Sequence, residues 1–199
     1  MLLPILDVGH QNFILTNSIV MILNPNSKPI KRLISQAKKD NKYIDLTGGK
    51  AGDCVILLNT NEIVMSSFDV KTIKKRYMTY VNEINLNNKK LSIEPLIEIG
   101  FDNYIFSNYV TTIIQNDTSY ATNTIKNAKK NLTLIDCSKG KKTRSIIRLN
   151  NEFVISSVLN ATTIKNRYMK YVNNINSANI NLIELSKDEE ISEEEKELD

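Results

Sequence analysis

The chain repeats itself at an offset of 91 residues. Pro4-Ile5-Leu6-Asp7-Val8-Gly9 returns as Pro95-Leu96-Ile97-Glu98-Ile99-Gly100, and Asn12-Phe13-Ile14 as Asn103-Tyr104-Ile105. Ala37-Lys38-Lys39 returns as Ala128-Lys129-Lys130, Ile44-Asp45 as Ile135-Asp136, and Ser66-Ser67 as Ser156-Ser157. Thr72-Ile73-Lys74-Lys75-Arg76-Tyr77-Met78 returns as Thr163-Ile164-Lys165-Asn166-Arg167-Tyr168-Met169. A fixed internal period means that one unit is built more than once. The expectation is therefore one small fold made twice: repeat 1 over residues 1–85 and repeat 2 over 94–186. A linker at 86–93 joins them, with Leu86-Asn87-Asn88-Lys89-Lys90 at its polar centre. Residues 187–199 make an acidic disordered tail.

Each unit reads as α+β, a short and mostly antiparallel sheet with two helices. An apolar strand at Ile5–Val8 leads through a glycine turn to a second strand run, Phe13 to Leu23. Ser27 is a good N-cap and Pro29 fits the first helical turn, where a missing N–H costs nothing. Ile30, Leu33, Ile34 and Ala37 then follow at i, i+3, i+4 and i+7, one buried stripe. Ala121, Thr124, Ile125 and Ala128 hold the same positions in the second copy. A strand at Tyr43–Leu46 precedes a hairpin, Val55–Leu58 with Glu62–Met65, turning at Asn59-Thr60-Asn61. Its counterpart turns at Asn150-Asn151, residues that tolerate positive φ. Asp69 and Asn160 are candidate caps of a closing helix. That helix has its apolar positions at Ile73, Tyr77, Tyr80, Val81 and Ile84, or Ile164, Tyr168, Tyr171, Val172 and Ile175, a stripe that reads as core or subunit interface.

Charge is unevenly placed. The segment 187–199 holds eight acids and two lysines, net −6, within a chain of net +4. Residues 1–186 therefore carry +10, divided as +5 on either side of Glu94. Two basic bodies beside an acidic tail point to a polyanionic partner. No apolar run approaches the roughly 20 residues that cross a bilayer, and Met1-Leu2-Leu3-Pro4 lacks the features of a signal peptide. The expected location is cytoplasmic, at the nucleoid. Cys54 and Cys137 fall at different places in the repeats and read as reduced core thiols. With no Cys/His cluster, no metal site is expected, and no cofactor or small-molecule substrate either.

The densest chemical signal is Lys139-Gly140-Lys141-Lys142-Thr143-Arg144, four cations in six residues. Such cations displace counterions from a phosphate backbone, and Arg144 adds a planar fork suited to bidentate contacts. Lys31 and Arg32 stand in the first turn of their helix, against the dipole, where the positive potential suits a bound anion. Lys71, Lys74, Lys75 and Arg76 read as the solvated back of the closing helix, as do Lys165 and Arg167. No catalytic residues are expected. His10 has Phe101 as its counterpart in the other copy and reads as a packing or surface residue, and Thr47-Gly48-Gly49-Lys50 lacks phosphate-loop spacing. Asp45 and Asp136 have no partner acid or nucleophile and read as turn residues.

The ordered set resembles the RemA family of extracellular-matrix regulatory proteins. In repeat 1 it is carried by Asp7-Val8-Gly9, Asn12, Pro29-Ile30-Lys31-Arg32 and Ile44-Asp45. In repeat 2 it is carried by Ile99-Gly100-Phe101, Asn103, Ile135-Asp136 and Gly140-Lys141-Lys142-Thr143-Arg144, followed by Ile146-Ile147. The resemblance covers about 80 residues of each copy. It implies a fold similar to the LytTR domain, double-stranded DNA as partner, self-association into a ring, and control of biofilm-matrix genes. It implies DNA contacts on the basic loop, which in the family resembles Gly-Arg-Arg-Thr-Arg.

The copies depart from that pattern differently. Repeat 1 has Gly49-Lys50-Ala51-Gly52-Asp53 at the loop, and repeat 2 has Tyr120-Ala121-Thr122-Asn123 where repeat 1 keeps Pro29-Ile30-Lys31-Arg32. A further family arginine is Ser18 and Tyr109 here. The expected function is a non-enzymatic, DNA-binding transcription regulator contacting phosphates through Lys139, Lys141, Lys142 and Arg144, then Lys31 and Arg32. The alternative is an oligomeric scaffold or interaction protein that has lost DNA binding. RNA binding lacks an aromatic stacking motif.

Overall fold

A computed structural model describes residues 5–86 and 96–170, with residues 80–86 as backbone only. Most of the linker, the acidic tail, and the expected core positions Tyr80 to Ile84 and Tyr171 to Ile175 lie outside what is described at side-chain level. Repeat 1 contains β1 (Ile5–Gly9), β2 (Asn12–Leu15), β3 (Ile19–Leu23), α1 (Lys28–Lys39), β4 (Tyr43–Asp45), β5 (Cys54–Leu58), β6 (Ile63–Ser66) and α2 (Val70–Leu86). Repeat 2 contains β7 (Leu96–Gly100), β8 (Asn103–Phe106), β9 (Val110–Gln115), α3 (Ser119–Lys130), β10 (Leu134–Asp136), β11 (Ser145–Leu149) and β12 (Val154–Ser157). Residues 161–170 are helical, α4.

The first hairpin of each repeat owes its turn to a glycine and an asparagine. Gly9, His10 and Gln11 have φ of 107°, 52° and 60°, and Gly100, Phe101 and Asp102 have 108°, 55° and 57°. Three successive left-handed residues are costly unless held. The hold comes from Asn12, whose amide donates to the Gly9 carbonyl at 2.9 Å, and from Asn103, which donates to Gly100 at 2.8 Å. Asp7 also accepts from the Gly9 N–H at 2.8 Å.

The single strand run expected from Phe13 to Leu23 is two strands. A 3-10 turn at Thr16–Ser18 divides them. The reason is topological: β2 pairs with β1, while β3 pairs with β5 in a different sheet. Ser27 and Thr118 cap α1 and α3 by accepting from Ile30 and Ala121 N–H, at 3.4 and 3.1 Å. Asp69 and Asn160 cap α2 and α4 by accepting from Thr72 and Thr163 N–H, each at 2.7 Å. Ile30 and Ala37, and Ala121 and Ala128, are buried on the expected stripes.

Two sequence matches need correction. Ser66 corresponds to Ser157, not Ser156: their hydroxyls donate to Val8 and Ile99 carbonyls, both at 2.7 Å. Positive φ in the second turn of repeat 2 falls on Glu152, at 71°, opposite Asn61 at 64°, rather than on Asn150 or Asn151. The Asn151 amide is used instead to donate to the Asn61 side chain of the other repeat, at 3.1 Å.

The repeats do not keep separate sheets. One six-stranded sheet runs β4-β6-β5-β3-β8-β7, a four-stranded sheet runs β10-β12-β11-β9, and β1-β2 stands as a pair. All pairings are antiparallel except β4 with β6 and β10 with β12. The β7–β8 hairpin of repeat 2 thus extends the sheet of repeat 1, with Met21 opposite Ile105 and Ile22 opposite Tyr104. Every residue of β3 is buried as a result.

The joint is apolar and well bonded. Tyr77 of α2 meets Phe106 edge-to-face at a ring separation of 5.1 Å and an interplanar angle of 78°. Asn24 N–H donates to the Asn103 side chain at 3.0 Å, and the Tyr109 hydroxyl donates to the Asn17 carbonyl. One core cluster, from Leu6 to Ile164, passes through both repeats. Cys54 and Cys137 are buried and unpaired within it, and burial pushes both thiols up.

Because the core crosses the joint, Phe106→Ala should lower stability by about 3–5 kcal/mol. Urea denaturation should show both repeats unfolding together; two separated transitions would contradict a shared core.

Candidate nucleic-acid interface

The loop between β10 and β11 has a fixed backbone and free cations. Asp136 anchors its start, accepting from Ser138 N–H at 2.9 Å and from the Ser156 hydroxyl at 2.7 Å. Lys141 N–H donates to the Ser138 carbonyl at 3.0 Å, closing a turn in which Lys139 and Gly140 have φ of 50° and 80°. At the far end Arg144 N–H donates to Ser157 at 2.8 Å, and Asn116 binds the Arg144 and Thr143 carbonyls at 2.9 and 3.1 Å. Lys139, Lys141, Lys142 and Arg144 are all exposed. Among the described residues none of them forms an ion pair.

Lys141, Lys142 and Arg144 share a cleft of about 400 Å³ with the β7–β8 turn and α4. It is lined by Glu98, Gly100, Phe101, Lys141, Lys142, Arg144, Val158, Leu159 and Arg167. Lys139 and Lys141 ammonium groups lie 5.1 and 5.3 Å from the Phe101 ring centroid. Arg167 pairs with Glu98 at 3.1 Å and donates to its carbonyl at 2.9 Å. The only carboxylate in the cleft is thus already neutralised, and the loop is left to present its charge outward.

Sequence reasoning singled out the loop but gave Phe101 no contact role and read Arg167 as solvated. The signal was available in the repeat itself. Residue 10 and residue 101 each follow the invariant glycine of a turn that points at the loop. Lys31 and Arg32 are exposed on α1 and do not line the cleft.

Repeat 1 keeps the loop's backbone and loses its charge. Asp45 accepts from Thr47 N–H and hydroxyl at 3.0 and 2.7 Å, Lys50 N–H donates to Thr47 at 3.2 Å, and Asp53 N–H donates to Ser66 at 2.9 Å. Asp53 therefore occupies the place of Arg144. Underneath, a Cβ on Gly52 would lie 2.4 Å from the Met65 sulfur, and one on Gly48 would lie 2.9 Å from the His10 ring. Both Asp45 and Asp136 serve as turn anchors, which is the role their isolation predicts. No group of His, Cys, Asp and Glu among the described residues is placed to hold a metal ion. Among them, no helix is long and apolar enough to cross a membrane.

Taken together, these features define a tandem-repeat α+β protein presenting a rigid, uncompensated basic loop from one of two similar units. Comparison with known proteins agrees. Residues 5–77 and 96–168 each match the model of the RemA-like family, extracellular matrix regulatory protein A-like, and the chain belongs to that family. A protein of Finegoldia magna is 35% identical over 71 residues, which span 36% of this chain and 86% of that protein. One of Thermosipho melanesiensis is 36% identical over 80 residues, 40% of this chain and 85% of its own length. One of Pseudothermotoga lettingae is 32% identical over 87 residues, 44% and 96%. All three are provisionally named regulatory proteins. Less than half of this chain spans nearly all of each, so these relatives are one repeat long.

The Asp136 anchor gives a pH prediction. Burial raises its pKa, but hydrogen bonds from Ser138 and Ser156 outweigh that and hold the carboxyl below the usual carboxylate range. A depressed folded pKa stabilises the fold above the unfolded value of about 3.9; that contribution is lost as pH falls through the folded value. Acid unfolding monitored by circular dichroism should therefore be shallower for Asp136→Asn than for wild type below pH about 4. An identical acid limb would remove Asp136 as an anchor.

Proposed function

We propose that this chain is a DNA-binding regulator that holds duplex phosphates through the second repeat's loop and assembles head to tail with copies of itself. The observation that carries the DNA reading is the loop: four cations on a backbone fixed at both ends, with no carboxylate in ion-pair range among the described residues. A pre-ordered cationic loop loses little conformational entropy when it meets phosphate. Such contact is mainly independent of sequence, so selectivity falls to DNA shape and deformability. Family membership supports a regulatory role; we read it as exercised at the nucleoid on matrix-type genes, by units of LytTR-like fold.

Assembly is supported by what the joint leaves over. Phe13 and Leu15 are 61% and 41% exposed, while their counterparts Tyr104 and Phe106 are 6% and 1%. Tyr168 is exposed, while its counterpart Tyr77 is 2% accessible. The β9 edge, equivalent to the β3 edge that accepts β8, has no pairing partner among the described residues. The β1–β2 hairpin of one chain thus matches the β9 edge and α4 of the next. Such a contact is heterologous, and it closes into a ring or runs on as a filament.

Fluorescence anisotropy with duplex DNA across a salt series tests the DNA reading. Each phosphate contact contributes about −0.9 to the log–log slope. Lys141→Ala/Lys142→Ala/Arg144→Ala should make it shallower by about 2–3. No wild-type binding at low salt would leave the scaffold reading in its place. Light scattering tests assembly: wild type should exceed the mass of one chain, and Phe13→Glu/Leu15→Glu should return it to one. A strictly monomeric wild type would overturn the head-to-tail contact.

A further inference from the structure

The β7–β8 turn has a second cleft on its other side. It measures about 360 Å³ and is lined by Lys71, Lys74, Lys75 and Met78 of α2, with Asp102 and Tyr104 of repeat 2. The three lysines stand at i, i+3 and i+4, so they share one helical face and repel one another. Lys71 lies in the first turn of α2, where the helix dipole adds to the positive potential rather than relieving it. Asp102 faces them across the cleft, yet no carboxylate forms an ion pair with any of the three among the described residues. Lys74 instead lies 3.5 Å from the Tyr104 hydroxyl and 5.0 Å from its ring centroid.

The fold does not require this cluster. The same positions on α4 are Thr162, Lys165 and Asn166. The lysines are concentrated on a helix that packs at the joint inside the chain, where its Tyr77 meets Phe106. Their cleft also adjoins the loop site, because consecutive residues of one turn wall the two: Phe101 lines the loop cleft and Asp102 lines this one. Basic side chains of repeat 1 and repeat 2 therefore flank the same turn.

We propose that Lys71, Lys74 and Lys75 form a second phosphate-contact patch for the duplex held by the loop, so that the DNA path crosses the joint between repeats. The proposal rests on the DNA reading above. It gives repeat 1 a phosphate contact through α2 in place of a loop in which Asp53 offsets Lys50. Uncompensated like charges at a cleft are a local conflict of the kind that a bound polyanion resolves.

Two measurements test it on the full chain. In the first, Lys71→Gln/Lys74→Gln/Lys75→Gln is compared with Lys38→Gln/Lys39→Gln/Lys42→Gln, which removes equal charge elsewhere on repeat 1. The α2 variant should make the salt slope shallower by about 2–3 and weaken binding at least tenfold more than the control. In the second, wild-type lysines are acetylated with and without DNA and read by mass spectrometry. Lys71 and Lys75 should be protected by DNA, and Lys38 and Lys39 should not. This arm needs no variant to fold. If wild type binds and the loop variant weakens binding, but the α2 variant matches its control and Lys71 and Lys75 stay unprotected, the patch is wrong and the DNA reading stands. If wild type does not bind DNA, both fail.

Discussion

The edge of β3 that repeat 1 itself leaves open is the constraint around which the molecule is arranged. A buried strand edge must find hydrogen-bond partners, and β3 finds them in a hairpin that belongs to the other repeat. Once that pairing is made, Tyr104, Ile105 and Phe106 are covered and Tyr77 has a ring to meet. The turn between β7 and β8 is carried along with the hairpin. It arrives between α2 and the basic loop, with one residue facing each. The joint therefore positions the chemistry as well as supplying cohesion.

The internal joint also acts as a control for the ends of the chain. Equivalent surfaces occur twice, once covered and once not, on related sequences. Phe13, Leu15 and Tyr168 are exposed where their counterparts Tyr104, Phe106 and Tyr77 are covered at the joint. Large apolar groups grouped on one surface mark a place of contact more reliably than single exposed residues do.

Much of the unit was legible in the sequence. The 91-residue offset, the caps at Ser27, Asp69 and Asn160, the stripes of α1 and α3, and the basic loop all follow from local rules with strong signatures. What the sequence hid was long-range. That Phe13–Leu23 divides between two sheets depends on which strand each half pairs with, and periodicity does not encode partner choice. The sharing of a sheet between repeats was hidden for the same reason. Lys71, Lys74 and Lys75 read as a solvated face because a helix seen alone has no neighbour; only the fold brings Asp102 and Tyr104 opposite them. Phe101 was passed over because its cation contacts come from a loop some 40 residues away in sequence. Ser156 and Ser157 misled by one position, since adjacent serines look alike until one is seen to bond Ile99.

Gly52 and Met65 bear on how the two loops can differ and stay different. Repeat 2 has Thr143 over Ser156 at these positions, and repeat 1 has Gly52 under Met65. A side chain at 52 collides with the thioether, and overpacking of this kind costs about 1–3 kcal/mol. Shortening Met65 first empties space that the core had filled, at about 2–5 kcal/mol. Either single step crosses a valley, so the two loop types are connected only by paired change. Duplication gave this chain two copies to vary; this contact makes their divergence epistatic, and holds the first copy in its own sequence basin even where the backbone still traces the same turn as the second.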